Sequence, residues 1–289
     1  TINGQDYTLT LNASTGNYEA TITAPSKSSY TLAGHYYPVT IKVTDTAGNT
    51  TTKDATDATL GASLRLVVKE KVAPVSVFTY PTAGSAIITN KPTFKWKVTD
   101  NDSGVNPDTI GITIDSGSKI TSGITKTAIT GGYECSYTPT TALSDGSHTV
   151  KVDATDFDGN ASTQVSVQFK IDTVPPTLTL SNPADGLVTN NKSLTVSGTT
   201  NDATSSPVTV KVNGTAVTVG SNGTFSTTIT LVEGSNTITV VATDSAGKSS
   251  TVTRKVTLDT KAPTISAVTL TPNPVDGGKT FIISVKVSD

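Results

Sequence analysis

Ala242-Thr243-Asp244-Ser245-Ala246-Gly247-Lys248 is the third appearance of one pattern, after Val43-Thr44-Asp45-Thr46-Ala47-Gly48-Asn49 and Ala154-Thr155-Asp156-Phe157-Asp158-Gly159-Asn160. An alternating apolar run precedes each: Val39, Ile41, Val43; Val150, Val152, Ala154; Ile238, Val240, Ala242. A period of two lines one face of a strand. A second run follows each, so Asp-x-x-Gly reads as the turn between two strands. Asp bonds its own turn backbone there and Gly takes the positive φ. The aspartates Asp45, Asp156 and Asp244 stand 111 and 88 residues apart, which sets the length of a repeating unit.

A second pattern marks the joints, where a strand runs into proline: Lys71-Val72-Ala73-Pro74, Asp172-Thr173-Val174-Pro175-Pro176 and Asp259-Thr260-Lys261-Ala262-Pro263. Proline cannot donate to a ladder and stiffens the chain, so these joints read as semi-rigid couplings. A third pattern is a glycine followed by an aromatic that opens a strand, at Gly16-Asn17-Tyr18, Gly132-Tyr133 and Gly223-Thr224-Phe225. No segment carries sustained helical periodicity.

Composition agrees. Hydrophobic residues make up 34% and aromatics 5%, too few for one large core but enough for thin sandwiches in which alternate residues point inward. Threonine suits the outer, wet positions. The charged fraction is 15% and the net charge −2, which leaves no basic surface for nucleic acid or an anionic membrane. No apolar run is long enough for direct membrane insertion. Cys135 is the single cysteine and forms no internal disulfide. It alternates with Tyr133 and Tyr137 on one strand face, as a buried inert thiol does.

On these motifs the chain resembles the bacterial immunoglobulin-like (Big-type) tandem repeats, whose domains end in a D-x-x-G-N hairpin and a D-T-x-x-P linker. Such repeats occur in surface adhesins, as spacers in secreted glycan-acting enzymes and in phage structural proteins. The resemblance implies an all-β fold of tandem immunoglobulin-like β-sandwiches in an elongated rod. It also implies an extracellular setting, at a cell surface or in a phage virion. The repeats place the domains at 1–72, 73–173 and 174–260, with 261–289 left over.

The two ends decide the functional expectation. Thr1-Ile2-Asn3-Gly4-Gln5-Asp6-Tyr7-Thr8-Leu9 aligns with Lys211-Val212-Asn213-Gly214-Thr215-Ala216-Val217-Thr218-Val219, so the first domain is expected to lack strands A and B. Residues 263–270 and 280–289 read as an A and a B strand, with Val287-Ser288-Asp289 matching Val98-Thr99-Asp100. A sandwich without its opening pair leaves an unpaired edge and a bare core face. The expected solution is donation of the 261–289 hairpin to a neighbouring copy, by Ile265, Val268, Leu270, Phe281, Ile283, Val285 and Val287. The expected acceptor residues are Ile2, Tyr7, Leu9, Tyr18, Ile22, Ile41 and Val43. Such a head-to-tail contact does not close, and it propagates as a homopolymer. A whole-number excerpt from a longer periodic array has complementary ends automatically, so both readings stay open.

No constellation for catalysis is present: two histidines, one cysteine, and no H-E-x-x-H, G-x-S-x-G or paired-Cys motif. No cofactor is expected. The most metal-like stretch is Asp100-Asn101-Asp102-Ser103-Gly104 with Asp108 behind it, a weak calcium candidate because its spacing departs from the EF-hand pattern. Asp156 and Asp158 are weaker still. Trp96, between Lys95 and Lys97, is expected to point into a core with Phe94 and Val98. Tyr30, His35, Tyr36 and Tyr37 form an aromatic cluster that fits either a glycan or protein receptor or packing beneath an incoming hairpin. Three functions therefore stand side by side: a fibre subunit, an adhesin-type binding module and a passive spacer.

Overall fold

The computed structural model describes all 289 residues, almost entirely as strands and turns, with two short 3-10 turns at Ala33–His35 and Gly61–Leu64. The chain divides into two compact units, Thr1–Ile171 and Asp172–Asp289.

The first unit opens with β1 (Thr10–Asn12), β2 (Asn17–Glu19), β3 (Tyr37–Pro38), β4 (Ile41–Thr44), β5 (Thr50–Lys53) and β6 (Arg65–Leu66). They pair only two by two, as β1 with β2, β3 with β6 and β4 with β5. Then follow β7 (Val75–Tyr80), β8 (Ala86–Ile87), β9 (Phe94–Thr99), β10 (Gly111–Ile114), β11 (Thr125–Ile129), β12 (Gly132–Tyr137), β13 (Gly146–Asp153) and β14 (Val165–Ile171). These form two four-stranded sheets, ordered β11-β12-β9-β7 and β10-β13-β14-β8.

The core lies between those sheets, and the alternation of β9 builds it. Phe94, Trp96 and Val98 are fully buried, while Lys95 and Lys97 face water. Ile112, Val150, Val152, Phe169 and Ile171 meet them from the other sheet and Ile110 from the loop before β10, and Phe94 lies edge-on to Phe169 with centroids 5.5 Å apart. Cys135 is buried on β12 as its alternation indicates, and burial pushes its thiol pKa up to about 11.

The second unit carries β15 (Thr177–Asn182), β16 (Leu187–Thr189), β17 (Ser193–Asn201), β18 (Thr209–Val212), β19 (Thr215–Val217), β20 (Thr224–Thr230), β21 (Gly234–Thr243) and β22 (Ser249–Leu258). Sheets β15-β17-β20 and β16-β22-β21-β18-β19 enclose Val196, Val210, Val212, Phe225, Ile238 and Val240, a second sandwich core. Gly198 on β17 is required by close approach: a Cβ there would stand 2.1 Å from the Thr179 carbonyl oxygen and 2.9 Å from the Phe225 ring. Two strands escape a reading by alternation. Both β8 and β16 are very short and pair parallel to the last strand of their domain, β14 and β22.

The unit ends in β23 (Thr264–Thr271) and β24 (Ile282–Ser288), an antiparallel pair with a bulge between Ile265 and Ala267. It forms a two-stranded sheet of its own.

Candidate functional sites: an open cleft, an exposed hairpin and two carboxylate triads

The first strands of the chain repeat a turn found intact in the third domain. Asn3 and Gly4 take φ of 48° and 77°, and Asn213 and Gly214 take 48° and 84°. Two positive-φ residues in sequence are the signature of a tight hairpin turn, and Ile2 and Gln5 close it with reciprocal 2.9 Å backbone bonds. This turn swings Tyr7 and Leu9 toward β4. The result is a cleft of about 680 Å³ lined by Ile2, Tyr7, Leu9, Tyr18, Ile22, Ile41 and Val43 together with polar neighbours. All seven residues named from the sequence therefore face one space.

The cleft walls are wet. Tyr18 on β2 is 67% exposed and Val43 on β4 63%, whereas Phe225, the aromatic at the matching place on β20, is 3% exposed. In the third domain β17 lies along β20, with Gly198 opposite Phe225. In the first region β2 pairs only with β1, and its other edge has no partner strand.

The hairpin has the converse property. Ile283, Val285 and Val287 on β24 are 60%, 49% and 56% exposed, although they occupy the places that Phe94, Trp96 and Val98 hold on β9. Ile265, Val268, Leu270 and Phe281 are exposed as well. An isolated two-stranded pair with a continuous apolar face is marginal in water.

The aromatic cluster is used within its own unit. Tyr30 stacks on His35 at 4.4 Å and on Phe157 of the second domain at 4.2 Å. Arg65 lies over the Tyr36 ring at 5.0 Å, and Tyr37 is buried. The cluster packs against the Asp156-Phe157-Asp158-Gly159 turn rather than lining the cleft.

Two groups of three buried carboxylates form at matching places in the repeat: Glu70, Asp100 and Asp156, and Asp172, Asp202 and Asp244. In each group one oxygen per residue lies within 4.8 Å of the others. One member precedes the linker proline, one follows the strand β9 or β17, and one opens the Asp-x-x-Gly turn. The turns hold these side chains in place. Asp100 accepts from the backbone N–H of Asp102 and Gly104, Asp202 from those of Thr204 and Ser205, and Glu70 from that of Ser103. Asp156 and Asp244 accept from the N–H of Asn160 and Lys248.

The residues of the calcium candidate read from the sequence do not all come together. Asp100 belongs to a triad, but Asp102 and Asp108 do not. Asp102 accepts from the Ser28 N–H and faces Lys27 at 4.0 Å, and the Asp108 backbone closes a turn on Asn106. Neighbours in a loop sequence diverge in space, while residues 30 and then 56 or 42 positions apart converge. Glu70, Asp172, Asp202 and Asp244 were missed as ligands; the signal for Glu70 was its place before Pro74, where Asp172 and Asp259 stand before their own prolines.

Comparison with a known family agrees with the fold of the second domain. Residues 82–173 match the family described as "Bacterial Ig-like domain", and residues 176–260 match "Glucodextranase, domain B". Bacillopeptidase F of Bacillus subtilis (strain 168) is 33% identical over 126 residues, 44% of this chain, and the aligned part is 9% of that protein's length. Among solved structures, the fibronectin(III)-like modules of Clostridium thermocellum CbhA align over 64% of this chain and 94% of theirs, at 18% identity and TM-score 0.39. Titin domains I67-I69, in an E-to-A mutated variant, align over 68% of this chain and 69% of theirs, at 15% identity and TM-score 0.40. No helix of this chain is long and apolar enough to cross a membrane.

Proposed function

We propose that this chain, whose residues 82–173 form a bacterial Ig-like domain, is a non-enzymatic structural subunit of an extracellular fibre, at a cell surface or in a virion. Copies join head to tail: β23 and β24 of one copy enter the cleft of the next as the missing strands A and B of its first domain. One observation carries this reading. Positions buried under the opening strand pair in the complete domains are open in the first region, and the hairpin that carries the matching alternation has its apolar side chains in water.

The apolar surface available to the joint is substantial. Seven apolar side chains at roughly 1.5 to 3 kcal/mol each give a gross gain of about 10 kcal/mol or more before ordering and association costs. The unpaired edge of β2 offers backbone hydrogen bonds in addition. With domains of about 40 Å, estimated from strands of seven or eight residues plus loops, the reading expects beaded filaments with an axial repeat near three domain lengths.

The test is solution mass across concentration, with electron microscopy. Wild-type chain should grow with concentration, and Val285→Asp, which puts a charge into the buried face of the joint, should stay monomeric. A wild-type chain that is monomeric at all concentrations overturns the polymer. The match to glucodextranase domain B favours a second reading, a passive spacer within a larger secreted protein, which shows no self-association.

A further inference from the structure

The triad of Asp172, Asp202 and Asp244 lacks what its burial requires. Asp172 is fully buried and Asp244 nearly so, and in both the Oδ2 oxygen has no hydrogen-bond partner. Their Oδ1 oxygens are already engaged by the turns, to Val174 N–H at 3.2 Å and Lys248 N–H at 2.9 Å. The Ser205 hydroxyl, three residues after Asp202, is buried without a partner too. The Ser103 hydroxyl, three residues after Asp100, repeats this in the other triad. Buried carboxylates without partners are costly, and three that converge also repel one another. Oxygens bound to one calcium ion at about 2.4 Å lie at most about 4.8 Å apart, which the triads satisfy. An all-oxygen donor set with no nitrogen or sulfur selects a hard divalent cation.

We propose that Asp172, Asp202 and Asp244 hold a calcium ion, with Glu70, Asp100 and Asp156 as an equivalent second site. The same rule writes a third triad from Asp259 before Pro263, Asp289 after β24, and Asp45 at the first Asp-x-x-Gly turn. Asp45 already matches Asp156 in detail, accepting from the backbone and side-chain N–H of Asn49 as Asp156 does from Asn160. Asp259 stands in the linker just before the donated hairpin, Asp289 at the hairpin's end, and Asp45 in the acceptor. This part rests on the strand-complementation reading: the third site is completed only between two copies, and calcium strengthens their joint.

Titration calorimetry of the full chain with calcium chloride tests the sites themselves. Two ions should bind per unassembled chain, and Asp244→Asn should remove one. Asn keeps the Oδ1 acceptor of the turn, so the variant should melt in chelator at or above the wild-type temperature, because repulsion is relieved, and lose part of the calcium-induced rise. No heat of binding, with identical melting in calcium and chelator, overturns the proposal. Binding of magnesium with calcium excluded overturns the assignment to calcium.

The third triad is read from assembly. Chelator should weaken joining about tenfold or more, and Asp45→Asn should abolish that calcium dependence while both internal sites still titrate. Assembly that neither chelator nor Asp45→Asn weakens overturns the third triad alone. Absence of assembly with two ions bound overturns the fibre reading and leaves the two sites standing.

Discussion

Strands β9 and β24 carry the same alternation, Phe94-Lys95-Trp96-Lys97-Val98-Thr99-Asp100 against Ile283-Ser284-Val285-Lys286-Val287-Ser288-Asp289. The first is flanked by β7 and β12 and faced by a second sheet, and its apolar side chains are dry. The second is flanked by β23 alone, and its apolar side chains are wet. Alternation therefore specifies a face, and a partner sheet turns that face into a core. The same lesson repeats in the pair Phe225 and Tyr18, two aromatics at matching places of which only the one beside a β17 is covered.

The comparison breaks first at β9. Trp96→Ala should cost about 3 to 5 kcal/mol through cavity formation, measured by chemical denaturation of the second domain. Val285→Ala at the matching place on β24 should cost no more than about 0.5 kcal/mol in unassembled chain, and a loss of several kcal/mol there would show that the hairpin is already packed. Next in size, Phe225→Ala should cost about 3 kcal/mol and Tyr18→Ala under about 1 kcal/mol in dilute protein. Under assembling conditions the Tyr18 penalty should rise, and an unchanged penalty would place the joint elsewhere.

Smaller effects sharpen the picture inside the second domain. Burial alone lowers the His148 pKa, but hydrogen bonds to Asp115 and to the Ser144 carbonyl, both 2.8 Å, outweigh it and leave the pKa above the ordinary value. Both ring nitrogens face acceptors, an arrangement that suits the imidazolium. A raised folded pKa means the pair stabilises fully below about pH 6.5. That contribution is lost as pH rises through the folded value. An NMR titration of His148 alongside unfolding midpoints from about pH 5.5 to about pH 8 checks the sign. Smallest of all, the Cys135 thiol, with its pKa near 11, should react with thiol reagents at neutral pH only as fast as the domain opens.

Most of the strands were legible because a period of two survives in single sequences. Phe94 to Val98, the runs before each Asp-x-x-Gly turn, and the terminal hairpin all lie where their alternation puts them. The short strands β8 and β16 were not, because two or three residues carry no period and their pairing is set by β14 and β22 far along the chain. The cleft residues could be named because the third domain supplied a template for the first. The triads were half legible: Asp100 and Asp156 drew notice singly, but convergence of three loops is a property of the packed sheets. Asp102 and Asp108 drew notice through proximity in sequence, and they lie outside the triads. The aromatic cluster was legible as a cluster but not in its partner, since nothing local to Tyr30 points to Phe157.

The parallel pairing of β8 with β14 and of β16 with β22 has a mechanical consequence. These pairs tie an early segment of each complete domain to its final strand, so tension applied through the two ends loads the clamp bonds together, in shear. The loop between β23 and β24 contains no such clamp strand. If copies join as proposed, a stretched fibre should part at its joints between copies while the folded beads along each chain stay intact, and single-molecule pulling would register that rupture at a lower force than domain unfolding.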